Sequence, residues 1–190
     1  MICFSVKRRE VVAAAALSAV IVAGLLQDFG TAVAALAGYM VFTMTLVVFI
    51  DLRHLIIPDI FSLPSIPLGL ATNWFVSGDM QRMEHLMHGL LAATGAAGVL
   101  YGIRFIYMRL RGIEGVGLGD VKLAAAAGAW VGVEGLAMTS LVATTAALLV
   151  TAARSARVAG GLDLRTAVPF GSFLAPAIIV VWLLQLTGSA

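Results

Sequence analysis

Apolar positions along this chain fall in long blocks, and polar positions collect in the short stretches between them. Crossing a bilayer as an α-helix takes about 20 apolar residues. Reading for such runs gives seven candidates, near 11–27, 31–50, 60–77, 86–108, 121–133, 135–153 and 169–187. The period-2 alternation of a transmembrane β-barrel is missing, so spanning helices are expected. The fifth and sixth runs are short and are parted only by Val133-Glu134-Gly135. They predict a tight helical hairpin or a partly re-entrant segment, with Glu134 at its tip. Pro64 and Pro67 inside the third run, and Pro176 inside the seventh, predict kinks or local unwinding. Gly128 and Gly132 have the small-xxx-small spacing that lets helices approach closely. The expected fold is an all-α, polytopic membrane bundle of six to seven spans, forming one domain over residues 1–190.

Composition agrees with that pattern. The chain is 61% hydrophobic and 12% charged, about half the charged fraction of a soluble domain (roughly 25%). Charge adds an orientation, because basic residues favour the cytoplasmic side. With the N-terminus inside and all seven runs crossing, Lys7, Arg8, Arg9, Arg53, Arg104, Arg109, Arg111, Lys122, Arg154, Arg157 and Arg165 all fall inside, and Arg82 alone falls outside. Lys7, Arg8 and Arg9 before an apolar run resemble the start of a signal peptide, but Leu25-Leu26-Gln27-Asp28 is a poor cleavage site. A retained first helix is expected. The one cysteine, Cys3, leaves no intrachain disulfide and no cysteine-cluster metal site.

Two acids stand out against this background. Asp51 closes the second run and Asp120 precedes the fifth, so both map to the cytoplasmic rim and can meet. Carboxylates bordering hydrocarbon are costly and are seldom kept without a task. A pair sharing one proton can hydrolyse an amide: one acid takes a proton from water while the other polarises the carbonyl and later protonates the amine. Their places at opposite helix ends assign Asp51 the protonated role and Asp120 the ionised one, through the helix dipole. Gly115, Gly117 and Gly119 alternate ahead of Asp120, a pattern that admits unusual backbone conformations and close approach of a substrate chain.

Three segments resemble the type IV prepilin peptidases. Arg111-Gly112-Ile113-Glu114-Gly115-Val116-Gly117-Leu118-Gly119-Asp120-Val121-Lys122-Leu123 is similar to the second aspartate motif of that family. Ile50-Asp51-Leu52-Arg53-His54-Leu55-Ile56-Ile57-Pro58-Asp59 resembles the first, and Val168-Pro169-Phe170-Gly171-Ser172-Phe173-Leu174-Ala175 resembles the segment opening the last helix. The resemblance runs from about residue 45 to 185. It implies a membrane aspartic endopeptidase of the Gly-x-Gly-Asp type, in the bacterial inner membrane with its site facing the cytoplasm. Such an enzyme removes the short basic leader of prepilins and pseudopilins after a glycine. The resemblance makes Asp51 and Asp120 the catalytic pair and Glu114, Gly117, Gly119 and Lys122 the supporting loop; Pro58 and Asp59 match as a structural turn. Larger members carry an amino-terminal region with paired Cys-x-x-Cys motifs and methylate the product. With Cys3 alone, this chain is expected to be a peptidase-only form without methyltransferase activity or zinc.

The other notable residues have plainer readings. His85 and His88 are i, i+3 but map to the outer side, away from the acids, so interfacial histidines are expected and no metal. Arg104, Arg109 and Arg111 are expected to snorkel to anionic headgroups. They are awkward neighbours for a basic leader, unless lipid or the acids Glu114, Asp59 and Asp163 offset them. Trp74 and Trp182 are expected in the outer interfacial belt. The implied partner is a membrane-inserted prepilin or pseudopilin precursor; no cofactor and no nucleic acid is implied. A proton-coupled transporter would also use membrane acids, but with carboxylates near the midplane, whereas these map to one rim. A Gly-x-Gly-Asp intramembrane protease of signal-peptide-peptidase type is disfavoured because Asp51 lies just before the Ile57-Pro58-Asp59 turn and not deep in a span. A non-catalytic assembly factor for a pilus or secretion apparatus is a further alternative.

Overall fold

A computed structural model describes residues 6–77, 80–157 and 168–188. These form six helices: α1 (Arg8–Asp28), α2 (Gly30–His54), α3 (Asp59–Val76), α4 (Arg82–Arg111), α5 (Leu118–Arg157) and α6 (Gly171–Leu186). Each expected run coincides with one of them to within two residues at either end or lies inside it, and α5 holds both the fifth and the sixth. α1, α2, α4 and α5 are long and apolar enough to cross a membrane, and α6 is a shorter apolar helix.

The two-in-one helix turns on Gly132, whose φ of 65° and ψ of −172° interrupt α5. A side chain is strained at positive φ, and glycine is not. Ala124 and Thr144, on either side of this break, line the same groove as Phe170 and Leu174 at the start of α6. Twenty residues of straight helix would hold them about 30 Å apart, so α5 doubles back at Gly132 as the expected hairpin. The reversal deprives the last carbonyls of the first limb of their helical partners. Side chains replace them: Asn73 Nδ2 donates to the Ala129 carbonyl at 2.9 Å and Gln185 Nε2 to the Val131 carbonyl at 3.1 Å. Buried backbone acceptors need such partners. Of the two spaced glycines, then, Gly128 serves close packing, against the backbone at Ala92 and Ala93, while Gly132 serves the turn. The prolines do not break their helices: α3 runs through Pro64 and Pro67, and α6 through Pro176.

The core lies around α2. Ala37, Met40, Val41, Met44 and Val47 are fully buried at the i, i+3, i+4, i+7 spacing of one helical face, and they pack with α5 and α6 residues such as Leu123, Trp130 and Ile178. Trp130 Nε1 donates to both the carbonyl and Oγ of Ser65 at 2.9 Å. Trp182 does not join an interfacial belt. It is buried and meets Trp130 edge-on, with centroids 5.6 Å apart. Trp74 remains exposed, with the Arg82 guanidinium 5.5 Å over its ring. Among the described helices α1 packs on α2 alone.

Candidate active site

Five helix ends gather at one end of the bundle: the close of α2 and α4 and the start of α3, α5 and α6. Asp51 lies in the last turn of α2, which stops at Leu55. That residue adopts a left-handed conformation (φ 53°) and returns its N–H to the Asp51 carbonyl at 2.9 Å. The turn sends Ile57 inward, where it is buried, and Pro58 then opens α3, with its carbonyl accepting from Phe61 N at 3.1 Å. Pro58 is thus the N-cap of α3 and Asp59 its first residue.

The Asp51 carboxylate is nearly sealed, 4% exposed. Its Oδ2 accepts two hydrogen bonds from Ser172, from the backbone N–H at 2.7 Å and from Oγ at 2.9 Å. Ser172 is in the first turn of α6, so Asp51 faces a helix N-terminus, a site whose free N–H groups and dipole suit a carboxylate. The sequence argument weighed only the end of α2. With α6 facing the same carboxylate, helix ends no longer separate the roles of the two acids. Oδ2 already accepts two donors, so a proton held by the pair sits on Asp51 Oδ1 or on Asp120.

Asp120 is the third residue of α5, and its carboxylate takes a backbone hydrogen bond from Gly117, just before the helix. This is the returning half of a capping box. The alternating glycines act through closeness rather than unusual torsions, since none of Gly115, Gly117 and Gly119 has a positive φ; the left-handed glycine here is Gly112, which ends α4. A Cβ on Gly119 would lie 2.9 Å from Cβ of Ile57, and one on Gly117 would lie 3.1 Å from Asp120 Oδ2. Bare backbone at these points lets the start of α5 press against the turn after α2.

Asp51, Asp120, Gly117 and Gly119 consequently line one cavity of about 220 Å³. At about 30 Å³ per water, the space holds several waters or part of an extended peptide. Two carboxyl groups around such a space can activate water between them. Replacing Ser172 with Ala removes one of the two donors on Asp51 and keeps the backbone one. One neutral hydrogen bond contributes about 1 kcal/mol, so Ser172→Ala should slow turnover roughly fivefold to tenfold without changing the amount of folded protein, as steady-state rates on purified protein will report.

The remaining expected residues surround this cavity in pairs. Lys122 Nζ meets Asp59 Oδ1 at 2.6 Å, tying α5 to α3. Glu114 is in the loop ahead of Asp120 and pairs with Arg104 at 2.5 Å. Arg104 departs from the headgroup role: it is 7% exposed, and its second arm donates to the Val116 carbonyl at 2.5 Å. About two turns before the end of α4, it reaches the 112–117 loop, whose Val116 carbonyl and Glu114 carboxylate hold it. Arg109 and Arg111 stay exposed, Arg109 stacked 5.4 Å over Phe105. Two residues beyond Asp51, Arg53 forms a two-armed ion pair with the buried Glu10 of α1. Glu114, Asp59 and Glu10 thus neutralise the cations nearest the cavity. Asp163 lies outside the described residues.

His85 and His88 line a different cavity, of about 190 Å³, with Glu134 and Gln185 at the hairpin tip and no part in the Asp51 site. Among the described residues no cluster of three His, Cys, Asp or Glu is arranged to hold a metal. Sequence reasoning missed three residues of the acid site as participants: Ser172, Ile57 and Arg104. Ser172 carried one signal, a hydroxyl in the first turn of an otherwise apolar helix. The other two carried none.

Comparison with known proteins matches residues 38–152 to the model of the type IV leader peptidase family. A prepilin leader peptidase/N-methyltransferase of Burkholderia pseudomallei is 35% identical over 159 residues, 83% of this chain and 49% of the relative. Proteins of the same name from Xanthomonas campestris pv. campestris and Pseudomonas aeruginosa are 35% and 34% identical, over 70% and 73% of this chain and 44% and 46% of theirs. The chain spans about half the length of these relatives. No solved structure matches.

Proposed function

Because the chain belongs to the type IV leader peptidase family, we propose that it is a membrane aspartic endopeptidase that removes the leader of prepilin or pseudopilin precursors, with Asp51 and Asp120 as its catalytic pair. The observation that carries this reading is the shared cavity of those two acids, brought to it from different helices. With one proton between them, the ionised carboxylate takes a proton from water as the water oxygen attacks the scissile carbonyl carbon. The protonated carboxyl gives its proton to the carbonyl oxygen. In the tetrahedral intermediate the amide nitrogen then takes a proton from one acid and the C–N bond breaks as a hydroxyl of the intermediate returns its proton to the other, so the carboxylic acid and amine leave with the dyad as it began. No covalent intermediate is needed.

Gly117 and Gly119 keep Asp120 close to the turn after Asp51, and Glu114 and Lys122 fix the flanks through Arg104 and Asp59. Arg53, Arg104, Arg109, Arg111 and Lys122 all lie toward the acid end, while Arg82 begins α4 at the other. That asymmetry supports a cytoplasmic site in a bacterial inner membrane, where a basic leader is found before export. Exposed Arg109 and Arg111 are then at the level of anionic headgroups. The reading is confined to leader cleavage.

Purified protein in lipid vesicles, incubated with a type IV prepilin, should release the leader and leave a new amino terminus one residue past the cleavage-site glycine, read by mass spectrometry. A precursor that stays full length under conditions where a known leader peptidase converts it defeats the proposal.

A further inference from the structure

A groove of about 440 Å³ opens between α4 and the second limb of α5. One wall is the stripe Ala92, Gly95, Ala96 and Val99 of α4, at the i, i+3, i+4, i+7 spacing of a single helical face. The other is Val133, Leu136, Ser140 and Thr144 of α5. Ala124 and Ala127 form the floor, and Phe170 and Leu174 close one end. That end adjoins the acid site: Phe170 precedes Gly171 and Ser172, which touch and hold Asp51, and Ala124 is one turn beyond Asp120.

We infer that this groove receives the apolar segment of the membrane-inserted precursor, docked as a helix so that the bond ahead of it reaches Asp51 and Asp120; the inference rests on the leader-peptidase reading. Three features favour a peptide helix over a lipid chain. Two helical rails facing each other across a gap have the shape that cradles a third helix. Alanine and glycine along the α4 rail and the floor let a helix backbone come close. On the opposite rail, Ser140 and Thr144 are exposed and line the groove, and a peptide carbonyl offers their hydroxyls an acceptor that hydrocarbon does not. The Phe170 end of the groove also adjoins the acid site, so a chain leaving the groove there emerges beside Asp51. Substrate is thereby selected by fit of its apolar segment as well as by its cleavage sequence.

Two experiments in lipid vesicles test this. In the first, a benzophenone side chain at Val99, 63% exposed on the rail, is compared with one at Val20, 70% exposed on α1. Irradiation with a type IV prepilin should capture the precursor's apolar segment from position 99 and not from position 20. Equal capture at both, or capture of lipid alone from 99, overturns the inference. In the second, Gly95→Leu is paired with Gly98→Leu. Neither glycine has a heavy atom within 4 Å of its would-be Cβ, so both variants should fold, but only Gly95 lines the groove. Gly95→Leu should lower kcat/KM by ~10-fold or more, the scale on which misfit of small apolar groups is felt in a binding site, chiefly through KM. Gly98→Leu should match wild type. Equal rates for all three, or equal losses in both variants, overturn the groove. If position 99 captures precursor that wild type never cleaves, docking stands and the peptidase reading falls.

Discussion

Asp51→Asn and Asp120→Asn will each slow precursor cleavage by roughly a thousandfold or more, the upper range of what positioned acid–base groups contribute. The double variant will be little slower than either single one. Asparagine keeps the size of the side chain and can still accept at Oδ1 from Ser172 or Gly117, so the fold should survive. It cannot give or take a proton. On the proposed mechanism the two acids share one proton, so losing either removes the whole relay, and the effects of residues acting as a unit do not add. Time courses in vesicles, with membrane levels measured alongside, will give the comparison. A single variant that keeps a tenth of wild-type activity, or a double variant slower than either single by the product of their effects, would rule out a shared proton. The same logic shapes the pH dependence. The pair works with one proton, so the rate should fall both where two protons are bound and where none is, giving a bell. A rate that stays flat from acid to neutral pH contradicts it.

Arg104→Met should have the second largest effect, a fall of about 10-fold to 100-fold in kcat. Methionine keeps an unbranched apolar stem in place of arginine's but leaves the Val116 carbonyl without its charged donor. Hydrogen bonds to charged groups contribute about 1.5–3 kcal/mol, and each 1.4 kcal/mol is tenfold in rate if all of it is felt in the transition state. The loss should appear as a loosened 112–117 loop, hence faster tryptic cleavage after the exposed Arg111. Glu114→Gln gives the contrast. Glu114 is 62% exposed, and exposed ion pairs contribute no more than about 1 kcal/mol, so its variant should stay within about fivefold of wild type. If Glu114→Gln is as damaging as Arg104→Met, the ion pair and not the Val116 hydrogen bond positions the loop.

Much of this architecture was legible in the order of apolar blocks, because a helix that crosses lipid must satisfy its own backbone and shows itself as an uninterrupted run. The hairpin could be foreseen from two short runs around Glu134. Its pivot could not, since Gly132 looks like any small residue until its torsions are known. The two acids were conspicuous for the opposite reason, as polar groups where polarity is costly. Ser172 escaped notice because it acts across 121 positions of sequence, and nothing near it announces a partner. Arg104 was misread as a lipid anchor from its place near the end of a span, which is the usual fate of such a residue. Only the return of the glycine loop beneath α4 gives it a nearer acceptor. Trp182 is similar: a tryptophan near a helix end suggests an interface, and its burial depends on Trp130, a neighbour from another helix.

α1 has a consequence of a different kind. It adheres to the rest of the molecule along one neighbour, and the stretch matching the family model begins only at residue 38, within α2. It is in effect an outrigger: its lipid-facing residues can drift or be redesigned with little penalty to the machinery beyond it. The exception is Glu10, whose grip on Arg53 makes the foot of the outrigger a brace for the carboxylate one half-turn away. Tags and fusions are best joined upstream with that brace left whole.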